Sequence, residues 1–457
     1  MINNLNYEGK WWMPDTETPI SGSLKIIPGK NAELKLVGSF RSVKEIFLGE
    51  KSKTEIILGE LPTGEKVTLY KCFVTQQQVS TPGFPVESYF VHFVFIGAHF
   101  KNSDDITFRT IRANYSYLDS WVNISGFDIQ HQLDAGEFII KYKSPQPIQA
   151  NINDYKVSID FEFGGLKMSI VQKDIYLEQK TIIKIDFSDE KSLEECIDVI
   201  SLIQNFLTLG VGEPVKPIKI KGLTDSNKLT INGKDYKQSI EIMYATQYRS
   251  DEQEDIIPQN MVFSFKDVSD NFEDCLRNWV EKAESLEPVY NLYFGTLYNP
   301  HMYLEHSFLS LVQALESYHR RVIGSSELPE IEHEKRVNSI LESSPHEYKK
   351  WLKGLLKYSN EPRLRARLIE ILELYPQIRE SKRNRDIFFN VVVKIRNHLT
   401  HYTNPDDEII KTVLKDRQQF YDIVQNLKSL MELCFLTELG FDENKITDMR
   451  PYKKLMK

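Results

Sequence analysis

Arg396, Asn397 and His401 lie close together near the end of a run, Asp386–Tyr402, that reads DIFFNVVVKIRNHLTHY. Histidine titrates nearest to neutrality, so one imidazole can take a proton from a hydroxyl or give one to a departing oxygen. Arginine stays charged and grips phosphate oxygens through two parallel N–H donors. The pair therefore suits cleavage of RNA through its own 2′-hydroxyl. That reaction needs a base for the hydroxyl, an acid for the leaving 5′-oxygen, and positive charge against the phosphorane. The scheme calls for no metal.

The element that must carry these residues is a helix. With about 100° between successive residues, Val392, Ile395, Leu399 and Tyr402 make one apolar stripe for a core. The sequence Asn404-Pro405-Asp406-Asp407-Glu408 opens a new helix, with Asn as N-cap, Pro at the first position and acids in the first turn. His401 then falls in the last turn of its own helix. The other face carries Phe389, Val393, Arg396, Asn397, Thr400 and His401. Two large apolar groups beside polar ones suit packing on a second copy of the same helix, since a two-fold axis makes one patch self-complementary. The alternative places Phe389 and Val393 against the N-terminal half or another helix of the same chain. His398 is read as a polar-face residue, with substrate contact as the lesser reading.

Two further groups could serve the same chemistry. Glu316 and His319 sit three apart on the polar side of a helix whose stripe is Phe308, Leu311, Val312 and Leu315. They could orient Arg396 by an ion pair or add an acid/base group, and a solvated pair is the plain alternative. Arg379, Lys382, Arg383 and Arg385 precede the catalytic helix. Cations in a first turn oppose the helix dipole, which a phosphate-gripping role would explain; the other reading is a solvated basic turn. Arg363, Arg365 and Arg367 are read as solubilising charge.

The chain divides by periodicity. From Leu24 to about Tyr248 apolar residues mostly alternate, as in strands. Val157, Ile159, Phe161 and Phe163 lead to Gly164-Gly165, which reads as a tight turn before Leu166, Met168 and Ile170. Turns are also expected at Pro62-Thr63-Gly64, Pro82-Gly83 and Asn232-Gly233. Inside this region Ser192 and Glu195 form a capping box that opens a helix over 192–209, with Gly210 to end it. Helices are predicted at 266–284, 301–322, 331–343, 346–357, 361–375, 382–402 and 407–438, joined by short connections as in a bundle. Strands followed by helices, without βαβ alternation, make an α+β multidomain chain. The expected layout is a β-rich domain over 1–262, a helical connector over 263–300 and an all-α bundle over 301–457.

The bulk numbers exclude several classes. The chain has 457 residues and a formal net charge of −8, so any nucleic-acid contact must be local rather than spread over its surface. Cys72, Cys196, Cys275 and Cys434 lie far apart without a CxxC pair, which argues against a zinc ribbon or a disulfide framework and fits a reducing cytosol. The opening MINNLNYEGKWW has no basic stretch before an apolar core, and no window reaches the ~20 apolar residues of a membrane span. A cytoplasmic protein without membrane contact is expected. Trp11, Trp12 and Tyr70 could form a stacking surface, but in a β-rich domain such rings more often fill the core. His92 and His99 have no third ligand nearby, so neither a metal site nor a cofactor is expected.

Arg396-Asn397-His398-Leu399-Thr400-His401 resembles the Arg-Asn-x-x-x-His signature of HEPN ribonucleases. Phe308–Arg320 is similar to the early HEPN helix of ApeA-type anti-phage proteins. Gly9-Lys10-Trp11-Trp12-Met13-Pro14 with Gly22-Ser23-Leu24 resembles the opening of their N-terminal domain, and Ser192–Gly210 their inter-domain helix. This resemblance spans nearly the whole chain. It implies a homodimeric HEPN endoribonuclease that halts phage propagation by cutting RNA, with transfer RNA as the substrate class, Arg396 and His401 as catalytic residues and Asn397 positioning them. The β-rich domain would then sense a phage-derived trigger or restrain the nuclease. The competing reading is a non-catalytic regulator whose HEPN bundle only dimerises or binds RNA or nucleotide.

Overall fold

A computed structural model describes residues 5–16, 18–27, 29–41, 55–78, 82–132, 136–168, 173–245, 256–378, 382–401 and 408–449. The chain separates into two compact units, Met1–Arg277 and Asn278–Lys457.

The first unit opens with six strands: β1 (Leu5–Trp12), β2 (Ile20–Ile26), β3 (Ala32–Leu36), β4 (Ile56–Glu60), β5 (Lys66–Gln78) and β6 (Val86–Ile96). They pair antiparallel in the order β6-β3-β2-β1-β4-β5, and β5 returns to β6, closing a barrel. The alternation seen in sequence points Leu24, Leu34, Leu36, Val67, Leu69 and Val91 into the barrel core. Trp11 is fully buried there, and its indole N–H donates to the Gly22 carbonyl at 3.1 Å. Space for this ring comes from glycine. A Cβ on Gly59 would lie 2.3 Å from Trp11 Cε3, and one on Gly22 would lie 3.1 Å from Trp11 Cδ1. Trp11 and Tyr70 are thus core residues, whereas Trp12 is half-buried and meets His99 edge-on at 5.4 Å.

Beyond the barrel come β7 (Thr107–Tyr115), helix α1 (Leu118–Val122), β8 (Phe127–Gln132), β9 (Glu137–Tyr142), β10 (Ile148–Ile152), β11 (Tyr155–Met168), β12 (Ile175–Ser192), helix α2 (Leu193–Val211), β13 (Pro217–Leu223), β14 (Lys228–Ile231), β15 (Lys234–Lys237) and β16 (Ile240–Tyr244). The barrel strand β6 continues outward through β16-β13-β7-β12-β11-β10. Asn232 and Gly233, both at positive φ, make the two-residue turn between β14 and β15, as the sequence suggests.

Two local expectations are corrected here. Gly164-Gly165 does not end a strand: β11 runs through it and pairs with β12 on both sides, so the glycines form a bulge between Phe163 and Leu166. Gly210 does not end α2 either, because the cap is Gly212 at φ +79. Gly210 instead admits a neighbour, since a Cβ there would lie 2.5 Å from Trp121 Nε1. The Trp121 N–H reaches the Phe263 carbonyl at 3.0 Å. The capping box of Ser192 and Glu195 is as read from the sequence.

The helical part begins with the short α3 (Phe265–Val268) and α4 (Phe272–Glu281), followed by α5 (Ala283–Tyr298), α6 (Leu304–Tyr318), α7 (Glu330–Glu342), α8 (His346–Leu356), α9 (Leu364–Glu373), α10 (Lys382–His401), α11 (Glu408–Lys415), α12 (Arg417–Glu438) and α13 (Glu443–Asp448). Within the second unit α6 is central and packs against α5, α9, α10 and α12. The expected single helix over 407–438 is two, because Asp416 accepts from the Gln418 and Gln419 amides and caps α12. The expected helix over 266–284 is likewise broken into α3 and α4, and α5 is a separate helix that holds Pro288. Among the described residues no helix is long and apolar enough to cross a membrane.

Candidate active site

Helix α10 holds twenty residues without Gly or Pro, so nothing in it interrupts the ladder. Phe389, Val392, Ile395 and Leu399 are buried. Each such side chain stabilises the bundle by roughly 1.5–3 kcal/mol, which fixes the rotation of the helix about its axis. That rotation leaves Arg396 half-buried and Asn397, Thr400 and His401 exposed. Tyr402 and the Asn404-Pro405 helix start lie outside the described residues.

The Arg396 guanidinium is held from two sides. Its Nη2 donates to Glu316 Oε2 on α6 at 3.4 Å, and Nη1 donates to Asn397 Oδ1 at 3.1 Å. The Arg396 and Glu316 side chains are 34% and 27% exposed, so the pair remains open to a ligand. The Thr400 hydroxyl bonds back to the Arg396 carbonyl at 2.7 Å, one turn earlier. Arg396 and His401 lie about 7.5 Å apart along the axis and about 140° apart around it, from standard helix geometry. They occupy opposite edges of one exposed face.

Other predicted residues are placed differently. His319 is fully buried and is not on a polar face. It opens a π-helical turn, His319–Ile323, where its Nε2 lies 2.7 Å from Glu370 Oε2 and its Nδ1 3.3 Å from Arg367 Nη1. Arg367 is also buried, and donates to Glu361 and to the Pro362 carbonyl. It is an anchor, not solubilising charge. Burial alone would raise the Glu370 carboxyl, but the Ser325 hydroxyl, His319 and Arg367 outweigh it and hold the carboxyl below its usual range. The apolar contact expected of Phe389 with a second copy is also corrected, because Phe389 is spent inside its own unit, edge-on to Phe388 at 5.3 Å. Ile387 is the exposed apolar residue of that helix.

Of the basic group, Arg383 is exposed, Arg385 is half-buried, Lys382 begins α10, and Arg379 lies outside the described residues. Arg365 pairs with Asp386 at 2.7 Å, tying α9 to the start of α10. Sequence reading missed the His319–Glu370–Arg367 cluster. Its only signal was an Arg at 367 on the apolar row of Leu364, Leu368 and Ile371.

A family model described as ApeA N-terminal domain 1 matches residues 6–279, and one described as Apea-like HEPN matches residues 309–445. No curated protein and no solved structure matches the chain.

Proposed function

Since this chain belongs to the ApeA family and carries an Apea-like HEPN domain, we propose that it is a metal-independent endoribonuclease of anti-phage defence, with transfer RNA as its substrate class. The observation that carries this reading is the exposed tail of α10, where a guanidinium braced by Glu316 and Asn397 shares a face with His401. Arg396 neutralises the phosphorane, and His401 moves the proton of the 2′-hydroxyl or of the leaving 5′-oxygen. Asn397 fixes the guanidinium and does not itself transfer a proton.

The angular spread between Arg396 and His401 favours a site completed by a second copy. Two α10 tails related by a two-fold axis would let the arginine of one and the histidine of the other address a single phosphate. The same axis gives one imidazole as base and one as acid. In this reading the β-rich domain senses a phage-derived trigger, or withholds activity until one arrives.

The test is incubation of total RNA with the purified chain in excess EDTA beside His401→Ala. Cleavage by the parent and none by the variant supports the nuclease. Failure of both, with trigger present, returns the bundle to a dimerising or RNA-binding regulator.

A further inference from the structure

His319 is the first residue beyond α6, at the start of the π-helical turn His319–Ile323. Such turns are rare and recur where a helix must aim a side chain. Arginine only donates, so Arg367 Nη1, 3.3 Å away, must give its proton to Nδ1 of the ring. The imidazole proton is then on Nε2, which donates to Glu370 Oε2 at 2.7 Å. The Ser325 hydroxyl donates to the same oxygen. Both ring nitrogens are thus spent on neighbours, and none is left for a substrate.

Apolar side chains of similar volume are often at least as stable in such a buried place. What the polar cluster adds is direction, because its bonds hold the end of α6 at one height and one rotation on α9. Glu316 stands three positions before His319, in the last turn of α6. Its bond to Arg396, at 3.4 Å, is near the long limit for a hydrogen bond. A turn of the helix end by about 20° would carry a side-chain tip roughly 2 Å and break it. Arg365 with Asp386 at 2.7 Å ties α9 to α10 in the same way. Polar contacts therefore close a ring through α6, α9 and α10, with the guanidinium of Arg396 as its most exposed link. We propose that His319 is a positioning residue: it fixes Glu316, and through Glu316 it fixes Arg396. The consequence for catalysis rests on the ribonuclease reading, whereas the restraint itself does not.

The test reads the restraint directly, by NMR of the full chain carrying isotope-labelled arginine. The Arg396 Nε–H signal is the one missing from Arg396→Lys. In the parent its order parameter should be that of a restrained side chain. His319→Leu fills the space without the bonds, and should bring the order parameter down to that of Glu316→Ala. His319→Gln, whose amide can donate to Glu370, should recover most of it. Should His319→Leu not fold, Glu370→Ala cuts the same bond at a side chain 33% exposed, and should loosen Arg396 alike. RNA cleavage gives the second readout. His319→Leu should lower kcat on the order of tenfold with little change in KM. In the Glu316→Ala background it should add less than about twofold, because its route is already cut. An Arg396 signal unchanged in His319→Leu or Glu370→Ala overturns the proposal, and so does an equal kinetic cost in both backgrounds. A parent that cuts no RNA, yet loses Arg396 order on His319→Leu, refutes the nuclease and supports the positioning role.

Discussion

Glu316 Oε2 lies 3.4 Å from Arg396 Nη2, joining two helices across 80 positions of sequence. Arg396 would otherwise be a long, freely rotating side chain at the edge of α10. The carboxylate on α6 restricts where its charge can go, which is what a group meeting a phosphorane requires.

Removing that restraint should cost activity far more than stability. Glu316→Ala is expected to lower kcat/KM for RNA roughly tenfold to a hundredfold, while unfolding free energy falls by no more than about 1 kcal/mol for so exposed a pair. Steady-state kinetics beside urea unfolding checks both. A drop in stability with unchanged kinetics would make the contact purely structural.

The Glu370 carboxyl, held low by Ser325, His319 and Arg367, links stability to pH. A depressed carboxyl contributes stability that is fully present above its ordinary value of 4.5 and is lost as pH falls through the native-state value. Glu370→Gln should therefore be less stable than the parent at neutral pH, by about 1–2 kcal/mol after allowing for its partial exposure. The difference should close in acid. Urea midpoints taken across the pH range decide it, and a gap that widens in acid would contradict the sign.

Gly59 faces the Trp11 ring in the barrel, where a Cβ would come within 2.3 Å of Cε3. Gly59→Ala should destabilise the first unit by roughly 1–3 kcal/mol through overpacking. The change should be read from thermal unfolding of that unit.

All four cysteines are free and buried, and burial pushes the Cys196 thiol up to about 12. Native protein should show no rapid reaction with a thiol reagent at mildly alkaline pH, and four reactive thiols after denaturation. A fast native thiol would show that one of these packed regions opens.

Where the sequence was legible, one local pattern decided the outcome. Alternation marked the N-terminal half as strands, where Leu34, Leu36, Val67 and Leu69 prove to fill a barrel, and the 3.6-residue period placed Val392 and Ile395 in the bundle core. Misreadings came where a distant neighbour overrode the local signal. Gly210 looks like a helix stop until Trp121 occupies the space beside it, and Gly164-Gly165 looks like a hairpin until β12 pairs across both sides. His319 looks like surface because nothing local reveals that Arg367 and Glu370 arrive from α9 to satisfy it. Phe389 was assigned to the wrong side although, three positions before Val392, the helical period itself puts it on the buried row.

The chemistry of the cut ends bears most directly on the role of Arg396 and His401. RNA cleaved by the purified chain in excess EDTA should carry 2′,3′-cyclic phosphate and 5′-hydroxyl termini by mass spectrometry, with both products absent for Arg396→Ala and His401→Ala. Termini with 3′-hydroxyl and 5′-phosphate, or cyclic phosphates persisting in either variant, would contradict a 2′-hydroxyl attack run by these two side chains.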